Sequence, residues 1–188
     1  NHRGAGVNIY SSSECLVENN TFINSPVVNS DTDAQAFADI AVVFSSSRNI
    51  VQNNICVSGQ GTGVLVQTVA NGNACDGNIV SDNIVRNAKV YGIALYRNAQ
   101  VISDVPLQSV SNCVVSGNTI ENISGAIINS ITSTYTYGTG IYIQGAENAV
   151  VSGNTIRQTH SGAVTFSQQL APGAIGLTNQ TVASVTGN

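Results

Sequence analysis

Residues 140–156 read Gly-Ile-Tyr-Ile-Gln-Gly-Ala-Glu-Asn-Ala-Val-Val-Ser-Gly-Asn-Thr-Ile. This is a short alternating strand, a turn, a second short strand ending in Gly-Asn, and an apolar residue two places on. The phrase recurs along the chain. Its asparagine is Asn20, Asn54, Asn83, Asn118 and Asn154 in successive copies, and Asn188 closes a last one. Three residues before each stands Val17, Val51, Val80, Val115, Val151 or Val185. Two residues after the first five stands Phe22, Cys56, Val85, Ile120 or Ile156. The steps between asparagines are 34, 29, 35, 36 and 34 residues.

A repeat that keeps its phase over such steps means stacked units, each unable to bury its own apolar face. The runs are rich in Val and Ile and alternate with period two, and no helical 3.6-residue pattern of useful length is present. The architecture that satisfies both facts is all-β: a parallel β-solenoid of about six coils with long loop insertions. Equivalent residues then stack about 4.8 Å apart. An asparagine at the same turn of every coil can pass amide hydrogen bonds up the stack.

The phrase Gly-Ile-x-Ile followed by Val-Val-Ser-Gly-Asn-Thr-Ile resembles the right-handed parallel β-helix repeat of the pectate-lyase-like superfamily, over nearly the whole chain. The resemblance implies a single β-helix domain spanning residues 1–188. It implies a polysaccharide partner, because that superfamily holds polysaccharide lyases, glycoside hydrolases, sugar epimerases, phage tailspikes and adhesins. Fold alone does not choose among them.

The chain has 188 residues, a formal charge of −4 and six basic residues, which argues against nucleic acid as a partner. Nothing in it has the length and apolarity of a membrane span or the pattern of a signal peptide. Only 9% of residues are charged, so the surface is neutral and rich in hydroxyls and amides, as suits carbohydrate. Cys15 and Cys113 fall in one column three coils apart, about 14 Å, too far for a disulfide. Cys56 replaces a core aliphatic, and Cys75 falls in a loop. All four read as thiols, hence synthesis in a reducing cytoplasm, followed by a place in a virion or outside the cell. The first and last coils read as uncapped, so the chain is expected to be an internal piece of a longer polypeptide.

Leading strands begin near Gly6, Ile40, Gly63, Gly92, Gly140 and Gly162. Alternation places Val7 and Ile9, Val64 and Val66, Ile93 and Leu95, and Ile141 and Ile143 inside, with Tyr10, Leu65, Gln67, Tyr96, Tyr142 and Gln144 outside. The strands near Ile40 and Ala163 fit either alternation. Loops at residues 24–39, 123–139 and 158–161 precede leading strands, and loops at 68–76 and 97–111 follow them. They would wall an outward strip carrying Tyr10, Tyr96 and Tyr142, with Arg97 at its rim and Tyr135 and Tyr137 in a wall. Aromatic faces and hydroxyls suit a sugar.

Glycoside hydrolysis needs two carboxyl groups. Asp33 and Asp39 in one wall and Asp104 in the other are the candidates. Glu121 instead reads as the centre of an Arg86–Glu121–Arg157 surface ladder, and Glu14 has no partner visible in the sequence. No metal cluster or cofactor fingerprint is present, and the lysine and arginine cluster of lyases with this fold is missing. The favoured expectation is a tailspike-like depolymerase that binds and hydrolyses a bacterial surface polysaccharide as a homotrimer. A non-catalytic adhesin or fibre shaft, and a polysaccharide lyase or sugar epimerase, are the alternatives.

Overall fold

The computed structural model describes residues 5–23, 38–57, 61–68, 74–97, 109–124, 126–129, 134–136, 138–159, 174–178 and 183–188. Among them every regular element is a strand, and the strands stack into a parallel β-helix. The first sheet contains Val7–Tyr10, Ala38–Val43, Thr62–Thr68, Tyr91–Arg97, Thr139–Gln144 and Ile175–Thr178, in that spatial order. The second contains Leu16–Glu18, Ile50–Gln52, Ile79–Ser81, Val114–Ser116, Ala149–Ser152 and Ala183–Thr186. The third contains Thr21–Ile23, Ile55–Val57, Ile84–Arg86, Thr119–Ile123 and Thr155–Thr159. A short fourth ladder joins Cys75–Asp76, Val110–Ser111 and Ala146–Glu147. Among the described residues one pair is antiparallel, Ala126–Asn129 with Thr134–Thr136, in an insertion between coils.

The repeat asparagines make the ladder that their phase predicts. Each side-chain amide donates to the carbonyl oxygen of the next: Asn20 to Asn54 and Asn54 to Asn83 at 3.0 Å, Asn83 to Asn118 at 3.0 Å, Asn118 to Asn154 at 2.9 Å and Asn154 to Asn188 at 2.8 Å. From Asn54 on, each amide also donates one coil back, to the carbonyl of Val17, Val51, Val80, Val115 or Val151. The residue before each ladder asparagine is left-handed in all six copies: Asn19, Asn53, Asp82, Gly117, Gly153 and Gly187. Asn, Asp and Gly are the residue types that tolerate this conformation, which is why the repeat reads Gly-Asn, Asn-Asn or Asp-Asn.

A second, shorter ladder was not read from the sequence. Asn49 donates to Asn78 at 3.0 Å, and Cys15 N–H donates to Asn49 at 2.9 Å. Its column continues as Cys113, Ala149 and Ala183, so two cysteines flank it as expected.

The core is one continuous aliphatic column set. Ile40, Val42, Val51, Val64, Val66, Val80, Val85, Ile93, Leu95, Val115, Ile120, Ile141, Ile143 and Val151 are all buried in it. This settles the ambiguous strand Ala38–Val43: Ile40 and Val42 face in, while Ala41 and Val43 join an outer cluster. The four cysteines are free thiols. Cys75 is buried on a short strand rather than in an exposed loop, and burial pushes its thiol up to about 11. The thiol of Cys113, also chiefly through burial, rises to about 12.

Two sequence expectations need correction. The sixth leading strand is Ile175–Thr178, whose Ile175 pairs with Ile141, so the slot of Gly140 is filled by Ala174; Gly162 lies outside the described residues. Ala174 stands as far before Asn188 as Gly6 stands before Asn20 and Gly140 before Asn154. That offset is the signature of a coil without a long insertion. Glu14 also has a partner, Arg48, at 2.9 Å.

Candidate functional site

The outer face of the first sheet carries two neighbouring columns. One runs Asn8, Ala41, Leu65, Ala94, Tyr142 and Gly176. The other runs Tyr10, Val43, Gln67, Tyr96, Gln144 and Thr178. The three tyrosines therefore share a face, as alternation requires, but Tyr142 sits in a different column from Tyr10 and Tyr96.

Their surroundings differ more than the sequence suggested. Tyr10 is 53% exposed and packs on Phe44, ring centroids 4.2 Å apart. Tyr142 is 4% exposed, so it is not an open sugar platform. It stacks face to face on Tyr91 at 4.4 Å and 4° and meets Tyr96 obliquely at 6.4 Å. These rings, with Ala38, Ala41, Val43, Leu65, Val90 and Ala94, form a second apolar cluster outside the coil. Leu65, expected to be an exposed outward residue, is 1% exposed within it. Alternation fixes which side of a sheet a residue faces, not whether that side is covered.

What remains partly accessible is the Tyr96 and Gln144 end of this cluster, since Gln67 is 5% exposed. Tyr96 is half-buried between Gln67 below and Gln144 above in its column. The Tyr142 hydroxyl donates to the carbonyl oxygen of Gln144, which occupies that end of the amide and leaves its nitrogen to donate elsewhere. Burial, then the neighbouring Tyr142, raises the Tyr96 phenol above its ordinary value. The Tyr91 phenol is raised further by burial and by both other rings. These hydroxyls thus stay protonated well into alkaline pH and act as hydrogen-bond donors rather than as bases. Arg97 follows at the end of the strand, half-buried.

The acids fall out differently from their expected wall positions. Asp39 lies inside the strand Ala38–Val43 at 0% exposure. Its register places it in the column Gly6, Asp39, Gly63, Gly92 and Gly140. A Cβ at those glycines would run into Phe22, Val85, Ile120 and Ile156 respectively, so the column faces the coil interior. In the Asp39 coil the facing residue is Cys56, whose thiol is raised by burial and then by Asp39. A carboxyl group there addresses the core, not the outer strip: the alternation that turns Ala41 and Val43 outward does not extend back to Asp39, whose column meets the side chains of the third sheet. Asp33, Asp104 and Tyr137 lie outside the described residues. Tyr135 lies on the strand Thr134–Thr136 of the antiparallel pair. Glu121 holds the charge ladder read from the sequence, 2.9 Å from Arg86 and 4.0 Å from Arg157. Among the described residues no group of three or more His, Cys, Asp or Glu is placed to hold a metal ion, and no helix is long and apolar enough to cross a membrane.

Residues 1–136 match the family described as the right handed beta helix region. The chain belongs to that family. Membership assigns the right hand to this β-helix and is in keeping with polysaccharide binding or degradation in general, without selecting tailspikes or pectate lyases within it. No curated protein and no solved structure matches the chain.

Proposed function

We propose that this β-helix binds a bacterial surface polysaccharide along the outer face of its first sheet and hydrolyses it in the manner of a tailspike depolymerase, as a homotrimer carried on a virion or acting outside the cell. The observation that carries the binding is the pair Tyr96 and Gln144, neighbours in one column and both half-buried, with Tyr96 backed by the Tyr91–Tyr142 stack. Phenol and amide follow one another at the coil spacing of about 4.8 Å, on backbone already locked in a sheet. Such a row offers a sugar chain successive hydrogen bonds and one aromatic edge at little cost in side-chain order. Hydrolysis asks for two acids. With Asp39 turned into the coil, Asp33 and Asp104 remain from the expected set.

The rival reading is a glycan-binding shaft that does not cleave. It is favoured by one observation: the two outer columns contain no carboxylate among the described residues. Binding and cleavage are separable by experiment. Tyr96→Ala is expected to weaken binding to the cognate polysaccharide by about 1–3 kcal/mol, the scale of one aromatic face. Asp104→Asn is expected to lower reducing-end release by about 10²–10⁴-fold with binding nearly intact. Unchanged binding in Tyr96→Ala removes the strip. Binding without any reducing-end release from wild type leaves the shaft.

A further inference from the structure

Among the described ion pairs, Arg48 is held by Glu14, and Arg86 and Arg157 share Glu121. Arg97 is in none of them, although it is half-buried beside the polar column. Its position is built rather than incidental. Gly145, one coil on and directly after Gln144, has φ of 63°. A Cβ on Gly145 would stand 2.8 Å from Arg97 Nε and 3.2 Å from both its Cβ and its Cζ. The arginine therefore lies against the backbone of Gly145, where the left-handed φ already favours glycine, so its side chain is laid down along the coil. A guanidinium resting against backbone has less freedom to lose on binding an anion than one extended into solvent.

We propose, resting on the binding reading above, that the glycan is acidic and that Arg97, seated over Gly145, receives the carboxylate of one of its sugars. The planar fork of donors matches a carboxylate in two parallel hydrogen bonds. Tyr96 and Gln144, the residues just before Arg97 and Gly145 in the chain, then reach the hydroxyls of the same or the adjoining sugar. A chain of net charge −4 with one such arginine among the described residues of this face suits a sparsely charged polymer, one acid per repeat, better than a dense polyanion. Gly145 is a positioning residue: it acts on the sugar only through Arg97.

Hyaluronan, with one carboxylate per disaccharide, alginate and polysialic acid serve as probes, each beside its carboxyl-reduced form, with dextran as the neutral polymer. Wild-type protein is expected to bind at least one acidic probe. Carboxyl reduction, or Arg97→Gln, should weaken that binding on the order of tenfold to a hundredfold. Arg97→Gln should then bind the acidic and reduced forms alike, Arg97→Lys should recover part of the difference, and Gly145→Ala should narrow it while the urea-unfolding transition stays cooperative. Loss of binding in Tyr96→Ala with full acidic preference retained in Arg97→Gln overturns the arginine role and leaves the strip standing. Equal wild-type binding to acidic and reduced forms overturns it as well. Binding to none of the probes, or binding indifferent to Tyr96→Ala, overturns the strip and the arginine together.

Discussion

Asp39 and Cys56 trade volume inside one coil. In four other coils the same slot pairs a glycine with a large residue: Gly6 with Phe22, Gly63 with Val85, Gly92 with Ile120 and Gly140 with Ile156. The second coil alone places a four-atom side chain on the strand, and there the facing residue is the smallest in its column. Close-packed interiors make such swaps interdependent. Cys56→Val is expected to destabilise by about 1–3 kcal/mol, because its added methyl group meets the aspartate. Asp39→Gly alone removes a buried carboxyl group but leaves a gap beside the small thiol, so its two effects oppose. The double variant restores the Gly/Val pairing of the next coil and is expected to be more stable than either single one. The coupling should be about 1–3 kcal/mol in a double-mutant cycle of urea unfolding. Additivity within about 0.5 kcal/mol would mean that the two side chains do not share the space.

At the scale of the element, the asparagine turn is the unit that every coil repeats, and Asn118 sits at its middle. Its amide donates to Asn154, Val80 and Ser116, and its carbonyl oxygen receives both the backbone N–H and the amide of Asn83. Leucine has similar bulk and none of these groups, so Asn118→Leu strands buried polar atoms in two neighbouring coils. A loss of about 1–3 kcal/mol is expected from urea unfolding followed by circular dichroism; a wild-type midpoint would show that the ladder is decorative. This element was fully legible in the sequence, because a side-chain amide that bonds its own kind must recur in phase. The alternation of Val64, Val66, Ile93 and Leu95 was legible for the same reason. Other features were not, since they depend on what lies across space. Tyr142 and Leu65 have the outward parity that the sequence assigns, yet an outer cluster buries them. Asp39 looked like the last residue of a wall loop, whereas pairing with neighbouring strands makes it the second residue of a leading strand. The Asn49–Asn78 ladder spans only two coils, too few for a period to stand out, although both residues lie five places before a ladder asparagine.

On the whole molecule, the apolar surface that bears on assembly lies on the second sheet rather than the first. On the first sheet the outward Leu65 is covered and Phe44 packs against Tyr10. The second sheet instead presents Leu16, Ile50, Ile79, Val114 and Val150 as one outward column, in register over five coils. Leu16 is 54% exposed, and Ile79 and Val150 are exposed with it. At about 4.8 Å per coil, four steps make a straight aliphatic ridge of roughly 19 Å. The next outward column of the same strands is polar: Glu18, Gln52, Ser81, Ser116 and Ser152. A narrow apolar line with a polar flank on a rigid face is poorly suited to solvent and well suited to a side-by-side contact. In the proposed homotrimer this ridge is the natural seam, since parallel copies would bring identical 4.8 Å rows together. Ile79→Lys with Val150→Lys would put two ammonium groups into that seam in every subunit, without touching the core or the glycan strip. The expected result is a shift from trimer to monomer in sedimentation equilibrium at micromolar concentration, with an unchanged β-sheet circular dichroism spectrum. A wild-type chain that is already monomeric there would remove the trimer. A trimer that survives both lysines would move its contact to another face of the β-helix.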